Sequence, residues 1–462
     1  MVTPTNTIAA ISTPPGKGGV ALIRISGEDA LAIAKKVFLP AYKKDITDYP
    51  PRTQIYGYIV EDDERVDDVL LTHFPAPHSY TGEDTVEICT HGGIIVTRTV
   101  LETVLTAGAR YAEAGEFTRR AFVNGKLSLT EAEAISSLLE AQSREQIRLA
   151  SHTARTNLDR EIGEIRASLV ELMSSMYARI DYPDEDLGDF DDSEVKNRLS
   201  AIKKRAERLL ATYKTGRAVA EGISTVICGK TNVGKSSLYN LISGEDAAIV
   251  TDIEGTTRDV LTRKVPLGKV TLNLADTAGI RVQSSDEVER IGIEKSRQMM
   301  SKCELLFAIF DASRSFDEQD AELISEISKL SCTKIALLSK CDKEQLFDES
   351  RIIGFAKVIK ISVKDDPLRT LSDLAKCVDE LFTDGKISIG EDPIISSARQ
   401  YSALARACGH IDAAEGGISI GLSQDAVSSD VERALGAISE LDGRAVSEEI
   451  TADIFSKFCV GK

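Results

Sequence analysis

No run of about 18 apolar residues occurs in this 462-residue chain, which excludes a helical membrane protein. Its opening stretch, MVTPTNTIAAISTPPGKGG, lacks a basic segment ahead of an apolar one and lacks an Arg-rich amphipathic leader, so the sequence reads as cytosolic. The 8 cysteines include no C-x-x-C pair and suggest no zinc site; several lie in apolar runs such as STVICGK and are expected as reduced core residues. Basic charge is also short. A formal net charge of -17 excludes a cationic coat that grips nucleic acid everywhere through counterion release. One stretch departs from that balance: Arg198, Lys203, Lys204, Arg205, Arg208, Lys214 and Arg217 face Glu207 alone, a pattern that a solvated helix face explains better than a nucleic-acid patch. No internal repeat or low-complexity segment is present. What remains is globular material. At about 150 residues per domain the length gives roughly three domains, and 42% hydrophobic residues let each bury a core.

From Thr7 to about Thr118, short β-branched runs (TIAAI, VALIRISG, DVLLTHF, TVEICTH) mix with helical stretches such as IIVTRTVLETVLTAGA. They predict a small α/β or α+β domain over residues 1–118. The chain then turns poor in Gly and Pro, with apolar residues three and four apart, which predicts helices over 119–218 broken by the acidic DYPDEDLGDFDD at 181–192. Residues 219–382 alternate strands (ISTVIC, VTLNLAD, LLFAIFD, KIALLSK, KVIKIS) with helical segments, the signature of a mainly parallel sheet in a three-layer α/β domain. Helical texture returns over 383–462. The economical arrangement is one discontinuous α-helical bundle carrying the α/β domain as an insertion between its two parts.

Within the inserted domain, GKTNVGKS at 229–236 fits G-x-x-x-x-G-K-[ST], and it follows an apolar strand and opens a helix. In that context the glycines let backbone N–H groups close around phosphates, Lys235 reaches the β- and γ-phosphates, and Ser236 ligates magnesium. TDIEGTTRD at 251–259 places Thr256 and Thr257 before a strand, where one hydroxyl can complete the magnesium shell. DTAG ends the next strand with Asp276 and Gly279; SKCD (339–342) and ISVK (361–364) end the last two. The series resembles the signature elements of the translation-factor-related, Ras-like P-loop GTPases. That resemblance implies guanine selectivity through Asp342, with Ser339 standing where the usual N-K-x-D pattern has asparagine. It also implies a nucleotide site of Asn232, Val233, Gly234, Lys235, Ser236 and Ser237, then Thr251, Asp252, Ile253, Glu254, Gly255, Thr256 and Thr257. Asp276, Thr277, Ala278 and Gly279, with Ser339, Lys340, Asp342, Ser362, Val363 and Lys364, complete it. After DxxG, where Ras-like proteins orient water with a glutamine, this chain has Ile280.

The flanks are more specific. TIAAISTPPGKGGVALIRISG, PAPHSYTGEDTVEICTHGG, AGEFTRRAFVNGKLSLTEAEAI, GTTRD, DEVERIGIE and the terminal FCVGK together resemble the MnmE (TrmE) family of tRNA-modifying GTPases over nearly the whole chain. The resemblance implies a tetrahydrofolate derivative in the N-terminal domain, at Arg24, Glu87 and Lys126 with the terminal Lys462. It implies a potassium-activated GTPase whose G domains pair across a homodimer, with Asn232, Thr251, Ile253 and Thr256 around potassium and Ser236 and Thr257 on magnesium. It makes Glu289 and Lys235 catalytic, Glu289 positioning the water that no glutamine positions. Cys459 is expected near the modification site, without covalent catalysis, the alternative being a half-buried anchor for the tail.

The reading that follows is an enzyme. With an MnmG-type FAD protein in a heterotetramer, using FAD and NADH on that partner, it installs an aminomethyl or carboxymethylaminomethyl group at C5 of the wobble uridine of tRNA, folate giving the one-carbon unit. The rival reading is a GTP-dependent ribosome or RNA assembly factor whose flanking domains only bind.

Overall fold

The computed structural model describes residues 6–42, 45–154, 157–181, 191–244, 262–275, 299–445 and 448–461. The chain divides into two compact units, one of Met1–Ser136, Ala154–Glu171 and Glu432–Lys462, the other of Ser137–Thr153 and Leu172–Val431.

The first unit is built on a seven-stranded sheet in the order β3-β4-β5-β6-β2-β1-β7. Its strands are β1 (Ile8–Ile11), β2 (Val20–Ser26), β3 (Phe38–Pro40), β4 (Ile55–Glu61), β5 (Glu64–Phe74), β6 (Thr85–His91) and β7 (Arg110–Tyr111), paired antiparallel except β1 with β7. Alternation along β2 buries Ala21, Ile23 and Ile25, and Ile23 and Ile25 join Val86 and Ile88 of β6 in one core with residues of α1 (Ala30–Val37) and α2 (Ile94–Thr106). The same period of two turns Arg24 and Glu87, directly opposed in the ladder, to the other face. α3 (Glu116–Val123) follows, and α4 (Leu129–Glu140) begins in this unit. Of the stretch expected as helical from Thr118 onward, the structure makes α3, α4, α5 (Arg144–Thr153) and α6 (Asn157–Asp181).

In the second unit, a six-stranded sheet has the order β13-β12-β11-β8-β10-β9. β8 (Ile223–Gly229), β10 (Val270–Ala275), β11 (Leu305–Asp311), β12 (Thr333–Ser339) and β13 (Lys357–Lys360) run parallel, and only the edge strand β9 (Thr262–Leu267) is antiparallel, to β10. All seven residues of β11 are buried, as a parallel strand covered on both faces requires. The expected mainly parallel sheet is therefore present. α7 (Asp192–Ala220), α8 (Lys235–Ser243), α9 (Glu318–Ser328), α10 (Pro367–Phe382) and α11 (Ala398–Ser419) belong to this unit, and α12 (Gln424–Leu441) starts in it. α7 continues to Ala220, two residues past the 218 boundary expected for the helical segment.

The chain enters and leaves this sheet side by side. The Asp384 N–H donates to the Thr215 hydroxyl at 2.9 Å, and the Lys214 ammonium donates to the Leu381 carbonyl at 2.8 Å. Three residues in the basic stretch of α7 form ion pairs: Lys203 with Asp412 at 2.5 Å, Arg198 with Glu194 at 2.7 Å, and Arg217 with Glu304. Lys204, Arg208 and Lys214 are exposed, in keeping with the solvated helix face expected there. Among the described residues no helix is long and apolar enough to cross a membrane, and no cluster of three or more His, Cys, Asp or Glu could hold a metal ion.

Candidate functional sites

β8, an interior strand of a parallel sheet, ends at Gly229, and α8 starts at Lys235, so the loop between them lies at the carboxyl end of the strands, where open α/β sheets bind ligands. Gly229 is required by its surroundings: a Cβ there would sit 2.5 Å from the Ile309 carbonyl, and its φ is 148°. Asn232 takes a left-handed φ of 63°, while Val233 is buried and pins the loop. The Lys235 ammonium donates to the carbonyls of Gly229 at 2.8 Å and Lys230 at 2.5 Å. Asn232, Ser236 and Ser237 are exposed. The unpaired amides and dipole at the start of α8, with one ammonium folded beside them, make a receptor for phosphate oxygens.

Two neighbouring strand ends hold that loop. The Ser339 hydroxyl, at the end of β12, lies 2.7 Å from the Val233 carbonyl. Lys340 donates to the Asn232 carbonyl at 2.9 Å and to Asp311, the last residue of β11, at 2.6 Å. Burial alone would raise the Asp311 carboxyl, but Lys340, helped by Ser313, holds it below its ordinary range. Asp342 is exposed, and the Ser362 hydroxyl, donating at 2.8 Å, holds its carboxyl below the ordinary carboxylate range. Ser339 and Lys340 thus touch the phosphate-type loop, while Asp342 and Ser362 pair with each other, with Val363 half-buried and Lys364 exposed just beyond. A carboxylate kept ionised at the rim is matched to a ligand edge carrying N–H donors.

Sequence reasoning missed two members of this assembly. Asp311 carries Lys340; its signal was a charge closing a wholly apolar run, LLFAIFD. Lys230, inside the motif, is clamped by Asp317 and Asp320 at 2.7 Å each, through the capping box that starts α9, and burial's downward pull on its ammonium is outweighed by these two carboxylates.

In the first unit, Arg24 and Glu87 meet directly, Nη2 to Oε1 at 2.8 Å, half-buried on the sheet face away from α1 and α2. The Arg24 guanidinium lies 5.1 Å from the Tyr80 ring centroid and 5.6 Å from that of Phe117. Lys126 is exposed and donates to the Pro77 carbonyl at 3.1 Å, and its stem lies under Gly82. The segment from Pro77 to Gly82 therefore gathers Arg24 at its centre and Lys126 at its flanks. Behind it Glu116, 2% exposed, takes Arg110 and Arg120 together with the Glu113 amide. Burial pushes the Glu116 carboxyl up, and these donors bring it down to about 2.

Two family models match the chain: one described as the GTP-binding protein TrmE N-terminus over residues 7–126, one as the MnmE helical domain over residues 129–459. The tRNA modification GTPase MnmE of Clostridioides difficile (strain 630) is 37% identical over 460 residues, 99% of either chain. That of Lactococcus lactis subsp. lactis (strain IL1403) is 39% identical over 464 residues, covering 99% of this chain and 98% of its own. This chain belongs to the MnmE family of tRNA modification GTPases.

As an MnmE-family GTPase it takes GTP with magnesium and hydrolyses it. A solved structure of the G domain of T. maritima FeoB, 21% identical over 34% of this chain and 97% of that one, has a TM-score of 0.26, too low to add weight. The carboxyl-terminal segment of this family member returns to its first unit. Phe455 of α13 (Glu448–Ser456) and Phe458 just beyond it pack with Leu129 and Ala132, Val460 pairs with Ala114, and Ser12 donates to the Gly461 carbonyl at 3.0 Å. A Cβ on Gly461 would fall 2.1 Å from the Ile11 carbonyl, so the close approach needs glycine. Cys459 itself is exposed. Its neighbours do the anchoring, which corrects the half-buried alternative. Cys303, Cys377 and Cys408 are buried, the other four are half-buried, and all eight are free thiols. Thr251, Asp252, Ile253, Glu254, Gly255, Thr256, Thr257, Asp276, Thr277, Ala278, Gly279, Glu289 and Lys462 lie outside the described residues.

Proposed function

We propose that this MnmE-family GTPase is potassium-activated and that, with an MnmG-type flavoprotein, it modifies C5 of the wobble uridine of tRNA, a tetrahydrofolate giving the one-carbon unit. In this reading residues 1–118 bind folate and dimerise, 119–218 and 383–462 form the helical domain, 219–382 form the GTPase domain, and the protein works in the cytoplasm.

The observation that carries the folate step is the Arg24–Glu87 pair beside Tyr80 and Phe117. A pterin is flat, with an N–H edge suited to the Glu87 carboxylate, and its glutamyl tail carries the charge that Arg24 and Lys126 would meet. An assembly factor would have no use for such a pair, and that disfavours the rival reading. At the nucleotide, Lys235 neutralises the β- and γ-phosphates and Asp342 selects guanine. Bound magnesium and potassium supply positive charge against the triphosphate. The exposed hydroxyl of Ser236 and the exposed Asn232, on the same loop as Lys235, fit those ions, with Thr257 completing the magnesium site and Thr251, Ile253 and Thr256 the potassium site. Glu289 would orient the attacking water. Cys459, exposed on the anchored tail, stands within the folate-bearing unit.

The test is nucleoside analysis of bulk tRNA from cells lacking the protein, complemented with the native chain or with Lys235→Ala. Loss of the C5-modified uridine, restored by the native chain alone, is expected; unchanged tRNA would refute the reading. A reduced folate should raise the melting temperature of the full chain, and no shift with any reduced folate would return the rival to the front.

A further inference from the structure

Guanine presents donors, N1–H and the 2-amino group, on its pairing edge and acceptors, N7 and O6, on the other. A carboxylate such as Asp342 can satisfy only the donors. N7 must be met by a hydrogen from the protein, and the segment that carries Asp342 is where such a hydrogen would be sought.

Asparagine, the residue of the N-K-x-D pattern, has two amide hydrogens, so one can hold a loop carbonyl while the other remains for a ligand. Ser339 has one. It is 4% exposed and stands between two backbone acceptors, the Val233 carbonyl at 2.7 Å and the Phe310 carbonyl at 3.1 Å. Turning that hydrogen toward a ligand would leave both buried carbonyls without it, and an unmet buried polar group costs more than a new neutral hydrogen bond returns. Among the described residues of this segment most other donors are engaged: Lys340 gives two of its three hydrogens to Asp311 and the Asn232 carbonyl, the Cys341 amide goes to the Ile361 carbonyl and its thiol to the Leu338 carbonyl, and the Ser362 hydroxyl to Asp342.

We infer that this chain reads guanine only along its pairing edge and leaves N7 unread, Ser339 serving as a positioning residue that ties the base-binding segment to the phosphate loop. The inference rests on the assignment of Asp342 to guanine. It makes 7-deazaguanine nucleotides, which have C–H in place of N7, ligands equivalent to guanine nucleotides.

The full-length protein would be titrated calorimetrically with GDP, 7-deaza-GDP and ADP in one magnesium and potassium buffer. GDP and 7-deaza-GDP should bind within about twofold of each other, and ADP far more weakly. One neutral hydrogen bond is worth roughly two- to tenfold in affinity, so GDP binding more than about twofold tighter than 7-deaza-GDP overturns the inference. GDP no tighter than ADP removes the guanine assignment itself, and the inference with it. Ser339→Ala should weaken both guanine ligands and keep their ratio; a changed ratio counts against the inference. Ser339→Asn should open a preference of about twofold to tenfold for GDP, and should it fail to fold, the native ratio still decides.

Discussion

Replacing Glu116 by glutamine tests how the N-terminal unit is held together. Glu116 is 2% exposed and accepts from Arg110, from Arg120 at 3.0 Å and from the Glu113 amide at 2.9 Å. Its folded value of about 2 lies below the reference 4.5, a difference worth about 3 kcal/mol at neutral pH. A depressed carboxylate stabilises above its unfolded value and loses that contribution as pH falls through the folded one. Glu116→Gln should therefore cost about 3 kcal/mol at pH 7 and only about 1.4 kcal/mol at pH 3. Urea unfolding read by pulsed hydrogen exchange, on peptides covering β1, β2 and α3, isolates this unit from the other. A cost under about 1 kcal/mol at pH 7, or one that does not shrink on acidification, would refute the argument that ion pairing outweighs burial at Glu116.

Lys340→Ala removes the nearer counter-ion of Asp311, 5% exposed, leaving Arg314 at 3.5 Å, and removes the donor to the Asn232 carbonyl; breaking a buried pair costs up to about 3–5 kcal/mol. Calorimetry should show GDP affinity down at least about tenfold, and native affinity would contradict the clamp. Asp67 raises the His91 imidazolium above 6.5. The pair then stabilises below the unfolded value and is lost as pH rises through the folded one, so an NMR titration should place the His91 midpoint above 6.5 and Asp67→Asn should bring it back; identical midpoints would dismiss the pair.

The sequence was most legible where chemistry forces local form. GKTNVGKS after an apolar strand fixed the loop between β8 and α8, and the apolar runs LLFAIFD and KIALLSK became β11 and β12 nearly residue for residue. The strands β3 and β4 were not anticipated: IYGYIVE has a glycine mid-run, and only in the sheet is its reason visible, since a Cβ on Gly57 would collide with the Leu39 carbonyl and the Phe38 ring. Pairings between remote residues were beyond reach for the same reason. Nothing local says that Arg24 faces Glu87 across a ladder, that Asp311 carries Lys340, or that Val460 finds Ala114.

The bond between Thr215 and Asp384 means that the helices receive the sheet-bearing segment between them as they would a surface loop whose two ends already touch. Closing such a loop costs an entropy that grows only with the logarithm of its length, so an entire catalytic lobe adds little more to the burden of folding α7 and its partners than a modest excursion would.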